Sequence, residues 1–132
     1  MPARLDHLIL PVNDTQQSLA FYTGILGLER EADRPPFSTV RVTPDFVLQL
    51  APWGTGGGEH HAFAMDGRDF EAVFRRVRAA GIQYGDAFDT VGNMRGPGKA
   101  DGARGATTSL YFFDPSRHLI EIICYEEHAS GA

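Results

Sequence analysis

Ser109-Leu-Tyr-Phe-Phe-Asp-Pro-Ser-Arg-His-Leu-Ile-Glu-Ile-Ile-Cys124 reads as two β-strands joined by an Asp-Pro turn. Pro115 fixes its own φ and donates no backbone hydrogen bond, so the run breaks at Asp114-Pro115. The flanks are β-branched and aromatic, the composition of strands. Within the second strand Glu121 is a carboxylate among Leu119, Ile120, Ile122 and Ile123. Such a group costs several kcal/mol to bury unless something pairs with it. A metal ion is one candidate partner and an Arg or Lys the other.

Working outward, the chain repeats itself. Leu5 to Val12 reads as a strand containing His7, and Asn13 or Asp14 can cap the helix that follows. Leu19, Tyr22 and Leu26 recur at helical spacing, and Gly27 is placed to end that helix. Leu28 to Glu31, Phe37 to Thr43 and Asp45 to Ala51 follow as short strands. Pro52 to Gly58 looks like a linker. The pattern then restarts. His60 to Met65 predicts a strand, and Asp69 to Ala80 a helix with Phe70, Val73, Phe74 and Val77 on one face. Ile82 to Tyr84 and the two strands of Thr107 to Cys124 complete the second half. Between them Gly92 to Gly105, with five glycines, predicts a long mobile loop.

The order is therefore βαβββ twice, with module 1 at residues 5–51 and module 2 at 59–125, an α+β fold built by duplication. An offset of 53 carries His7 onto His60 and Leu10 onto Phe63. An offset of 72 carries Phe46–Ala51 onto His118–Ile123, so that Gln49 takes the place of Glu121. Equivalent positions of a duplicated fold face a common cavity. Two imidazoles and one carboxylate then form a facial triad suited to iron, manganese, nickel or zinc. Gln49 could add a carbonyl oxygen or bond to a substrate. Of His60 and His61, the repeat selects His60, which shares its face with the small Ala62 and Ala64. Arg117 and His118 read as surface turn residues.

Composition bounds the rest. The chain has 132 residues, enough for a single domain, and a net charge of −5, which argues against wholesale nucleic-acid binding. One cysteine, Cys124, precludes an internal disulfide framework and fits a cytoplasmic protein. No run of 18 apolar residues and no signal-peptide core are found, so no membrane partner is expected.

Three segments resemble the vicinal oxygen chelate superfamily, which includes glyoxalase I, extradiol dioxygenases, fosfomycin-resistance proteins and bleomycin-resistance proteins. They are Asp6-His-Leu-Ile-Leu-Pro-Val-Asn-Asp14 with Ser18-Leu-Ala-Phe-Tyr22, His60-His-Ala-Phe-Ala-Met65 with Arg78-Ala-Ala-Gly81, and Leu110-Tyr-Phe-Phe-Asp-Pro115 with Leu119-Ile-Glu121. The resemblance implies paired βαβββ modules forming a curved, open, glyoxalase-like sheet. It implies metal ligands at His7, His60 and Glu121, and a homodimer, since short members often pair. Glyoxalase I carries a Glu where this chain has Gln49, and an amide is no base near neutral pH. Ser109-Leu-Tyr111 matches the Ser-x-Tyr that contacts phosphonate in the fosfomycin-resistance proteins, although their glutathione-transferring type has a Thr where Ile9 stands.

The expected function is a metal-dependent lyase, isomerase or dioxygenase acting on a small oxygen-rich substrate. Its divalent ion (Fe, Mn, Ni or Zn) would chelate substrate oxygens. Glu121 and Tyr111 are the expected catalytic residues, and Gln49 and Ser109 the expected substrate contacts. The 92–105 loop, with Arg95, Lys99 and Arg104, could close as a lid over an anion. The alternative is a metal-free sequestering protein of the bleomycin-resistance type.

Overall fold

In the computed structural model, which describes residues 2–126, the chain divides between Gly57 and Gly58 into two units. In the first, β1 (His7–Pro11) is followed by α1 (Thr15–Ala20), which runs on as a π-helical segment, Phe21–Ile25. The short β2 (Glu29–Arg30), then β3 (Ser38–Thr43) and β4 (Phe46–Ala51) complete a four-stranded sheet of order β1-β4-β3-β2. Asp14 caps α1 by accepting the Gln17 N–H at 3.0 Å. The π turn shows in Leu26 N–H, which donates to the Phe21 carbonyl five residues back. Gly27 then takes φ +79 and leaves the helix, as expected of that position.

β1 lies parallel to β4, the pairing that needs a crossover helix between the strands. Strand alternation gives the sheet two faces. One carries Leu10, Val40, Leu48 and Leu50, all but inaccessible. The other carries His7, Ile9, Val47, Gln49, Thr39 and Arg41, and mixes polar with apolar groups.

The second unit repeats this plan. It runs β5 (His60–Ala64), α2 (Gly67–Ala79), β6 (Tyr84–Gly85), β7 (Gly98–Gly102), β8 (Gly105–Phe113) and β9 (Leu119–Tyr125). The order is β5-β9-β8-β6, with β7 also paired to β8. Asp66 caps α2, and Phe70, Val73, Phe74 and Val77 are buried, the stripe that the sequence predicts. β5 is parallel to β9, as β1 is to β4. In the first unit Ile9 stands opposite Gln49, two residues after His7. In the second Ala62 stands opposite Glu121, two residues after His60. The two units thus share this parallel register.

Two expectations need correction. The glycine-rich segment is no mobile loop along its whole length, because Gly98–Gly102 is a strand in antiparallel register with β8. Two of its glycines answer to crowding. A Cβ at Gly98 would strike the Asp86 carbonyl, and one at Gly102 would come within 2.7 Å of the Tyr125 hydroxyl. Two of the three cations assigned to a lid, Lys99 and Arg104, are tied to the sheet instead. Lys99 donates to Thr108 and pairs with Glu126 at 2.9 Å, while Arg104 stacks over Tyr125. Nor is His118 a surface residue. It is 1% exposed, and its Nδ1 accepts the Glu59 N–H.

Candidate metal centre

The Asp-Pro turn positions the second unit's polar row. Asp114 is buried, and its Oδ1 accepts the backbone N–H of Ser116 and of His118, both at 2.9 Å. Arg117 is thereby held at φ +71, with its guanidinium over the Phe113 ring. The turn fixes the β8–β9 register, which places Tyr111 directly opposite Glu121.

Three side chains converge on one face of this sheet. His60 Nε2 lies 3.0 Å from Glu121 Oε1, and the Tyr111 hydroxyl donates to Glu121 Oε2 at 3.1 Å. The Glu121 side chain is 11% exposed and that of His60 48%, so the carboxylate is inside and the imidazole opens outward. Glu121 has therefore found the partners its apolar strand demands, and neither is an Arg or Lys. Ser109, on the same face, is fully buried and shares a 2.7 Å hydrogen bond with Thr107. Burial, and then the Glu121 charge, push the Tyr111 phenol up to about 12, so it remains a proton donor at neutral pH. His61 points to the opposite face, where burial lowers its pKa and keeps it neutral. Cys124 also lies on that apolar face, with its thiol pushed up by burial.

Tyr111→Phe is expected to leave Glu121 Oε2 without its donor. The predicted loss is about 1–2 kcal/mol in a urea midpoint series near neutral pH. The phenol's raised pKa sets a second signature. Its contribution is fully present below pH 10 and is lost as pH rises from 10 toward 12. The wild type should therefore destabilise more steeply than Tyr111→Phe across that window.

The first unit holds the equivalent row. His7 Nδ1 lies 2.7 Å from Asp6 Oδ2, an arrangement that leaves Nε2 as the nitrogen available to a ligand. Gln49 stands where Glu121 stands in the second unit. Both His7 and Gln49 line a cavity of about 560 Å³ within this unit, together with Thr39, Arg34, Arg41 and Glu31.

The second unit's donor chemistry suits a divalent ion. His60 Nε2 and Glu121 Oε1, at hydrogen-bond distance from each other, are one nitrogen and one oxygen donor of the kinds such ions take. Among the described residues no three His, Cys, Asp or Glu side chains gather within reach of one ion. The residue that the sequence reading passes over is Thr39. It stands opposite Gln49 as Tyr111 stands opposite Glu121, and the 72-residue offset already applied to β4 carries it there.

The fold belongs to a defined class. The chain is a member of the glyoxalase/bleomycin resistance protein/dioxygenase superfamily, whose model matches residues 4–122. It is 30% identical over 125 residues to the glutathione transferase FosA of Serratia marcescens, a match spanning 89% of this chain and 78% of that protein. Among solved structures, the oxidase ChaP-H2 is 28% identical with a TM-score of 0.77, over 96% of this chain and 98% of that one. An integron cassette protein from the Vibrio cholerae mobile metagenome, VCH_CASS1, is 27% identical with a TM-score of 0.76 over the same shares. Two of these relatives are enzymes by name, of different reaction types. No helix among the described residues is long and apolar enough to cross a membrane.

Proposed function

We propose that this protein is a divalent-metal-dependent enzyme acting on a small oxygen-rich molecule, with His7, His60 and Glu121 as the metal ligands. The observation that carries the reading is Glu121: a buried carboxylate bracketed by an imidazole and a phenol, with no Arg or Lys paired to it among the described residues. A bound divalent cation would supply Lewis acidity toward two neighbouring substrate oxygens. The chain's own groups do the rest. Tyr111 fixes the Glu121 carboxylate through Oε2, which leaves Oε1 aimed at the His60 side of the row. Thr107 and Ser109 form the buried hydroxyl pair farther along β8, on the face that Tyr111 occupies. Asp6 holds the His7 ring through Nδ1. Gln49, an amide, can donate or accept a hydrogen bond but takes no proton, so a glyoxalase I mechanism that uses a second carboxylate at this position is not the one proposed.

Similarity to a glutathione transferase and to an oxidase leaves reaction type to experiment. The purified protein, loaded in turn with Mn, Fe(II), Ni and Zn, is assayed on hemithioacetal, catechol and epoxide-phosphonate substrates. Turnover of one class in the presence of one metal, abolished by chelator and restored by that metal, is the expected result. Absence of metal binding, together with tight capture of an apolar ligand, would support the sequestering alternative. A homodimer, implied by family resemblance, belongs to the same reading and is read out by sedimentation.

A further inference from the structure

We propose that His118 is a positioning residue for His60: its ring holds the peptide bond that leads into the His60 strand, a role that rests on the metal reading of His60. His118 is a buried imidazole that the proposed chemistry does not use, only 1% exposed. Its own backbone is clamped by Asp114. The Asp114 N–H donates to the His118 carbonyl, and Asp114 Oδ1 accepts the His118 N–H, both at 2.9 Å. The ring therefore hangs from the fixed end of the Asp-Pro turn.

From there it reaches the start of β5. His118 Nδ1 accepts the Glu59 N–H at 3.3 Å. A nitrogen that accepts carries no proton, so the ring proton sits on Nε2. The Glu59 carbonyl accepts the Leu119 N–H at 2.8 Å, and the Gly58 N–H donates to the Arg117 carbonyl at 3.3 Å. Residues 58–59 are thus tied to 117–119 just where the β5–β9 ladder begins, with His60 opposite Leu119. Of these bonds, only the one to Nδ1 depends on which side chain stands at position 118. Movement at Glu59 carries His60 with it, and His60 Nε2 stands 3.0 Å from Glu121 Oε1. The His118 ring lies close enough to His61, on the face away from Glu121, to act on its ionisation. It works through the Glu59 peptide and not as a ligand.

A ring that merely fills space and a ring that holds Glu59 predict opposite orders of effect. Leucine fills the space but strands the Glu59 N–H. Asparagine leaves a gap, but its Oδ1 is bonded to Cγ as Nδ1 is, and can accept in its place. The test uses the full chain. In the metal-free wild type, nitrogen NMR should find the His118 proton on Nε2 and the Glu59 amide protected from exchange. In His118→Leu that exchange should quicken, and manganese affinity should fall roughly 10-fold or more, as when an outer-shell partner is lost. His118→Asn should keep manganese affinity within about 3-fold of the wild type. A wild-type ring with its proton on Nδ1 overturns the proposal whatever the variants do. So does a folded His118→Leu that binds manganese as the wild type does, or a folded His118→Asn that has lost that affinity. If His118→Leu does not fold, the ring tautomer and His118→Asn decide between the two roles. If the wild type takes up no manganese, the metal reading fails, and the hold on His60 is judged from its ring resonances. These should shift in His118→Leu and stay in place in His118→Asn; the reverse overturns the hold as well.

Discussion

Glu121→Ala is expected to lower divalent-metal affinity by at least roughly 100-fold, more than the loss of an outer-shell partner costs. His60→Ala should do the same. The two substitutions should differ in stability. Glu121 is 9% exposed and sits between a phenol and an imidazole in the middle of β9. Its removal strands the Tyr111 hydroxyl but also relieves the cost of burying a charge. These terms oppose each other, each about 1–3 kcal/mol, so folding should survive. His60 has a side chain 48% exposed, on the first strand of the unit's sheet, and its loss should cost the fold little. Isothermal titration with Mn or Zn, beside a thermal melt of each variant, separates loss of a ligand from loss of the fold. Metal affinity within 3-fold of wild type in both variants would remove these residues from the site.

Asp114→Ala is expected to have the largest effect on stability, ~2–4 kcal/mol by urea denaturation. A single buried oxygen satisfies two backbone donors there, and the substitution leaves both unpaired. The loss should propagate to the site, because the turn sets the register that brings Tyr111 opposite Glu121. Arg117→Gly serves as the contrast. Glycine removes the strain of φ +71, a gain of ~1 kcal/mol, but forfeits the stacking of Arg117 on Phe113, a loss of ~0.5–1 kcal/mol. The net change should be close to zero. A small effect in Asp114→Ala with a large one in Arg117→Gly would reverse this account of the turn.

Much of this architecture is readable in the amino-acid order, for physical reasons. Phe70, Val73, Phe74 and Val77 give α2 away because a half-buried helix must keep its apolar groups on one stripe. The His60 choice follows from strand alternation, and the structure puts His60, not His61, beside Glu121. The paired offsets of the repeat reappear as the registers Ile9–Gln49 and Ala62–Glu121. β7 was hidden because its glycines signal flexibility, whereas Gly98 is there to let the Asp86 carbonyl approach. Burial of His118 was hidden because its partner, the Glu59 N–H, lies 59 residues away in the chain. Thr39 carries no local signal at all. Only its place opposite Gln49, read beside Tyr111 opposite Glu121, distinguishes it from any other strand threonine.

The most direct test of the central claim is pulsed electron paramagnetic resonance on the protein loaded with one equivalent of Mn(II). Ligation by His7 and His60 predicts nitrogen couplings from two imidazoles, reduced to one in either His7→Ala or His60→Ala and unchanged in His61→Ala. A spectrum without nitrogen coupling, or one that loses its coupling in His61→Ala, would contradict the proposed centre.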